Sequence, residues 1–219
     1  MQPTPESGNF IVMAFQGGGW GMIPIAIVMV FVIFLIFERF MALKKLAIDK
    51  EDFNEKLFGM VLRGDIRQAI TFCDSRPAPL TNTLKSGLVQ VLNKRPDEEV
   101  QVAMDGAVLK EMPNLDGWTG FLAVFGNVAT LLGLLGTIVG LIHSFRAVTN
   151  ADPAQKATLL SSGIAEAMNC TAFGLIVAIP SLIAYGYFQT RTQRIINDIS
   201  ESSMNIMNLI VANRDKMKD

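Results

Sequence analysis

Three long stretches of the chain, residues 7–37, 117–142 and 167–190, contain no Asp, Glu, Lys or Arg. Each exceeds the roughly 20 residues a helix needs to cross the hydrocarbon core of a bilayer. Because hydrocarbon offers no partner to backbone N–H and C=O groups, such runs predict helices that satisfy themselves. The pattern therefore predicts an all-α integral membrane protein with three transmembrane helices, over 21–41, 116–145 and 159–188. Residues 1–20 form an outer-face segment, in which 10–20 read as a short amphipathic helix ended by glycines, with Trp20 as an interfacial anchor. Bulky residues surround the first span and suit a helix that faces lipid.

The middle segment, 42–115, alternates apolar stretches with breakers at Arg63-Gly64-Asp65, Arg76-Pro77-Ala78-Pro79 and Arg95-Pro96-Asp97. It reads as a set of short helices. Asp97, Glu98 and Glu99 directly after Pro96 are a helix start, since acidic side chains favour the first turn. The tail, 189–219, continues the third span as a helix with a stripe of Ile195, Ile199, Ile206, Leu209 and Ile210, which suits packing on the middle segment. The second and third spans are thus expected to extend into the cytoplasm.

Basic residues orient the chain. Arg39, Lys44, Lys45 and Lys50 follow the first span, and Arg191, Arg194, Arg214, Lys216 and Lys218 follow the third. The loop 146–158 has only Arg146 and Lys156. Cytoplasmic loops carry the excess of Lys and Arg, so the N-terminus and 146–158 are expected outside, and 42–115 and the tail inside. The first span lacks a basic n-region, and its length suits a retained helix rather than a cleaved signal.

Composition then narrows the function. Nineteen basic residues against 20 acidic ones give no field that would favour nucleic acid. Cys73 lies in the polar middle and Cys170 within the third apolar run, so two reduced thiols are expected rather than a disulfide. The chain carries no phosphate-binding glycine loop, no nucleotide fingerprint, no nucleophile–base pair and no metal-ligand cluster. An enzyme is disfavoured, and neither cofactor nor metal is expected.

The second and third spans differ in kind from the first. Gly126, Ala129, Gly133, Gly136, Thr137, Gly140 and Ser144 recur every three or four positions on one, and Gly163, Ala167, Thr171, Gly174, Ala178 and Ser181 on the other. At about 100° per residue each set forms one stripe. Small stripes let membrane helices pack closely. Thr137 and Thr171 lie on these stripes, and Glu166 lies about two turns into the third span, with Asn169 one turn further on. An ionisable residue within a span faces a bundle interior or a wet path, so these residues point to a hydrated or partner-filled axis. His143, the single histidine, reads as an interfacial residue at the outer end of the second span.

The strings GLLGTIVGLIHSF at 133–145 and GIAEAMNCTAFGLIVAIP at 163–180 resemble the MotA/TolQ/ExbB proton-channel family, closest to its TolQ/ExbB branch. The resemblance implies a homopentamer whose second and third spans line a pore, enclosing the single-span helices of a dimeric ExbD/TolR-like partner that carries a proton-binding aspartate. It also implies residence in the bacterial inner membrane and conversion of proton motive force into work on the envelope: transport, integrity or gliding. Thr137, Thr171 and Glu166 match the family's proton-path positions, and Gly133, Gly136, Gly140, Ala167, Gly174 and Ala178 would form a small-residue pore face. His143 departs from the amide-bearing residue more usual there. A non-conducting scaffold that holds a single-span partner is the competing expectation.

Overall fold

The computed structural model describes residues 21–46, 50–149 and 151–214. Among the described residues seven helices follow one another: α1 (Met22–Leu46), α2 (Lys50–Leu62), α3 (Ile66–Asp74), α4 (Pro79–Leu92), α5 (Asp97–Asp116), α6 (Thr119–Thr149) and α7 (Lys156–Asn213). Among the described residues there is no strand. The protein is all-α, and three of its helical stretches are long and apolar enough to cross a membrane. The helix expected over 10–20 lies outside the described residues.

The chain divides into two compact units. One takes the chain up to Glu38 together with Trp118–Tyr187; the other takes Arg39–Gly117 and Phe188–Asp219.

The first unit holds the apolar part of α1, all of α6 and the first half of α7. On α1, Met22, Ile25, Val28, Val32 and Leu35 are buried at helical spacing. Ile23, Ile27, Val30, Phe31, Phe34 and Phe37 point outward. So much apolar surface exposed on a single helix is what a lipid solvent requires. Phe31 stacks on Phe125, ring centroids 5.8 Å apart, which ties α1 to α6. The Ser181 hydroxyl donates to the Leu122 carbonyl at 2.6 Å and links α6 to α7. α6 runs to Thr149, one turn past the end expected at 145, with the basic Arg146 in its last turn where the helix dipole favours a cation. α7 is unbroken from Lys156 to Asn213 although Pro180 lies inside it, since membrane helices tolerate proline where neighbouring groups re-satisfy the backbone.

The second unit is a bundle with an apolar core of its own. Phe53, Leu57 and Val61 from α2, Leu84 and Leu88 from α4, Val100 and Met104 from α5, and Ile199, Ile206 and Ile210 from α7 are all completely buried. The apolar stripe of the tail is therefore part of this core. The breakers act as the sequence suggests. Gly64 adopts φ 83°, its N–H donates to Val61 O and that of Asp65 to Met60 O; this closure of a helix C-terminus favours glycine. Pro79 opens α4, where the Thr81 hydroxyl accepts the Ala78 N–H at 2.8 Å. The acidic first turn Asp97-Glu98-Glu99 opens α5. Gly117 ends the segment with φ 41°, and a side chain there would also overlap the guanidinium of the buried Arg39. Lys50 donates to Asp198 at 3.0 Å and to Glu201 at 2.6 Å, and Asn54 donates to the Ser202 hydroxyl at 2.8 Å; all three contacts join α2 to α7.

Candidate functional site

The site lies wholly in the first unit, where α6 and α7 approach so closely that their backbones touch. A Cβ on Gly174 would stand 2.7 Å from the Ala129 carbonyl oxygen, and one on Gly136 would stand 2.8 Å from the Cys170 Cβ. Gly133 faces the backbone of Cys170, Thr171 and Gly174, and Gly140 faces Ala167. The expected small-residue pore face therefore divides. Gly133, Gly174, Ala167 and Ala178 are buried in the seam between α6 and α7 of the same chain, whereas Gly136 and Gly140 stay half-buried. The physical reason is that helices without Cβ atoms at the crossing gain dispersion contact by closing on each other.

At this seam the structure brings Thr137 and Thr171 together. Their hydroxyls are in direct hydrogen-bond contact. Thr137 Oγ1 also lies 3.1 Å from Gly133 O and 3.3 Å from Ala167 O, and Thr171 Oγ1 lies 3.2 Å from the same Gly133 O. Two hydroxyls own two protons, so these four contacts cannot all be donated at once. The pair has alternative arrangements: Thr137 donates to Gly133 while Thr171 donates to Thr137, or Thr171 takes the Gly133 carbonyl and Thr137 turns to Thr171 or Ala167. Both side chains are half-buried, so they also reach beyond the seam.

Glu166 is placed elsewhere. It is exposed and lines a groove of about 750 Å³ at the end of the unit where α6 stops and α7 starts. Gly21 and Pro24, Leu135, Gly136, Val139, Gly140 and His143 from α6, and Ser162, Gly163 and Cys170 from α7 share that lining. Thr137 and Thr171 do not line it, although their neighbours Gly136 and Cys170 do. The groove is mostly apolar, and His143 and Glu166 are the imidazole and the carboxylate on its wall. Reading His143 as interfacial missed this shared groove. The signal was present, because His143 continues the line of Gly136 and Gly140 at spacings of four and three.

Neither thiol is in a disulfide. Cys73 is buried in the second unit, and burial pushes its thiol up to about 12, which keeps it protonated and inert. Cys170 is buried and packs against Gly136. Among the described residues no group of three His, Cys, Asp or Glu side chains could hold a metal.

The fold and the site together define a polytopic helical membrane protein, with a glycine-lined seam that carries a pair of uncharged hydroxyls where its spans have no charge. Residues 75–201 match the MotA/TolQ/ExbB proton channel family, and the chain belongs to that family, on its TolQ/ExbB branch. It is 29% identical over 174 residues to the Tol-Pal system protein TolQ of Pseudomonas aeruginosa, a match covering 74% of each chain. It is 39% identical over 98 residues to the TolQ of Haemophilus influenzae, covering 44% of this chain and 42% of that one. It is 30% identical over 118 residues to the biopolymer transport protein ExbB of Pseudomonas putida, covering 54% and 36%. The chain thus aligns with less than half the length of the latter two relatives.

Proposed function

We propose that the chain is the channel subunit of a proton-driven motor in the bacterial inner membrane. It works as a homopentamer around the single-span helices of an ExbD/TolR-like partner, with its N-terminus periplasmic and its C-terminus cytoplasmic. The observation that carries this reading is the Thr137–Thr171 hydroxyl pair, with more possible acceptors than protons.

A hydroxyl donates or accepts by rotation and gains no charge. A partner carboxyl passing the pair finds a donor when it is ionised and an acceptor when it is protonated. Desolvation raises the pKa of such a carboxyl and lets it travel neutral. Each proton that crosses 100 mV supplies about 2.3 kcal/mol from the potential alone. Five subunits around two helices cannot match in symmetry, so alternating protonation of the two partner carboxyls drives stepwise rotation. Gly136 and Gly140, half-buried beside the pair, offer a smooth wall, and Glu166 marks the mouth of the path. The work done falls on the envelope: transport, integrity or gliding.

The test is Thr137→Val with Thr171→Val, which keeps the shape and deletes both hydroxyls. Vesicles containing the variant and the partner are expected to lose proton flux by at least about tenfold, since a hydrogen bond to a charged group is worth about 1.5–3 kcal/mol, with pentamer and partner retained. Full flux through a correctly assembled double variant contradicts the assignment. The closely packed glycine seam equally suits a non-conducting scaffold, and an absence of flux from the unaltered complex decides for that reading.

A further inference from the structure

The second unit contains a small pocket of about 60 Å³ whose walls come from four helices: Leu46 of α1, Lys50 of α2, Leu80 of α4, and Arg191, Arg194, Ile195, Asp198 and Ile199 of α7. Its charges are unevenly matched. Lys50 is already neutralised, at 3.0 Å from Asp198 and 2.6 Å from Glu201. Among the described residues no ion pair joins Arg191 or Arg194 to a carboxylate, and the wall carries three cationic side chains against the one carboxylate of Asp198.

The two arginines are three residues apart and therefore share a helix face. They also stand at a particular depth. The charge-free run 167–190 ends immediately before Arg191, which puts both guanidiniums where a spanning helix leaves the hydrocarbon.

We propose that this pocket binds the headgroup phosphate of an anionic phospholipid, such as phosphatidylglycerol, in the leaflet at the basic ends of the spans. The planar donor forks of two arginines suit the two free oxygens of a phosphodiester. Leu46, Leu80, Ile195 and Ile199 give the pocket an apolar border for the glycerol and first acyl carbons. The volume admits a phosphate and little more, so the acyl chains lie outside it. A zwitterionic lipid brings a further cationic group to a wall on which cations outnumber carboxylates and is disfavoured. The site joins α1, α2, α4 and the span-bearing α7 through one lipid. It is independent of proton conduction.

Native mass spectrometry of the full chain in detergent, with defined additions, tests it. The unaltered protein is expected to retain phosphatidylglycerol in preference to phosphatidylcholine. Arg191→Gln with Arg194→Gln is expected to reduce that retention about tenfold or more, while Arg191→Lys with Arg194→Lys keeps part of it. Circular dichroism checks that the helices persist, and the single Gln variants, each expected to show an intermediate loss, stand in if the double variant does not fold. Equal retention of the two lipids, or unchanged retention in the folded Gln variants, overturns the proposal. Displacement by inorganic phosphate shows that the pocket takes the free ion and overturns the lipid assignment.

Discussion

Single glycines control how close α6 and α7 come. Gly174 lies against the Ala129 carbonyl, and any Cβ there would sit at 2.7 Å, inside normal contact. Backbone cannot rotate away as the tip of a flexible side chain can, so Gly174→Leu must push the helices apart. A loss of about 1–3 kcal/mol or more is expected, as for other overpacked interiors. Val30, 65% exposed on the outer side of α1, should accept Leu within about 0.5 kcal/mol, as surface changes do. Melting of both variants in detergent checks the difference, and equal damage at the two positions contradicts the assignment of faces. The residue scale is also where sequence and structure part. Thr137 and Thr171 were legible as polar residues on small stripes. That their hydroxyls meet each other and compete for Gly133 O depends on the rotation and height of one helix against the other, which no period in the sequence records.

At the scale of elements, α7 does two jobs in one helix. Its first half packs through small residues, and its second half through Ile199, Ile206 and Ile210. The change follows the change of solvent. In lipid, close backbone contact replaces the missing hydrophobic drive; in water, branched aliphatics supply that drive. α2 is held to α7 partly by Lys50, whose ammonium is pushed above its ordinary value of 10.5, first by its hydrogen bond to Glu201, with Asp198 adding to the effect and burial opposing it. A raised folded value means that the stabilisation is complete below the ordinary value and is lost as pH rises through the folded one. Lys50→Met should therefore cost about 1 kcal/mol or less at neutral pH, since both carboxylates are largely exposed. The deficit should vanish in melts performed well above 10.5. A deficit unchanged in alkali shows that the lysine acts through its aliphatic stem.

For the whole molecule, the apolar surface left open is the dominant fact. Leu131, Leu134, Leu135, Ile138 and Ile142 on α6 and Ile176, Ile179 and Ile183 on α7 are exposed in the single chain. A spanning unit can meet that demand with lipid or with further helices. In the second unit Val102, Leu109 and Met204 are also exposed, and Leu109 and Met204 border a cleft of about 420 Å³. On a bundle with a water-type core, exposed apolar side chains fit contacts between copies. Native mass spectrometry of the purified chain should show a pentamer as the dominant species, and Leu109→Glu should reduce it without loss of helicity. A dominant monomer contradicts the pore reading.

The sequence by itself determined the number of spans, the helical class and the breakers of the middle segment. Each of these rests on a local cause: the length of a charge-free run, a proline at a helix start, a glycine at Gly64 that can take positive φ. It also determined which faces of α6 and α7 were small. What those faces meet was decided by tertiary structure, because a stripe of glycines suits a neighbouring helix of the same chain and a pore wall equally well, and only the packed backbone shows that Gly133, Gly174, Ala167 and Ala178 close the seam. The same holds for the groove that gathers His143 and Glu166 and for the pocket that brings Arg191 and Arg194 beside Lys50 and Leu80. Both depend on residues far apart in the chain, and their meeting is set by the angle and height at which whole helices cross.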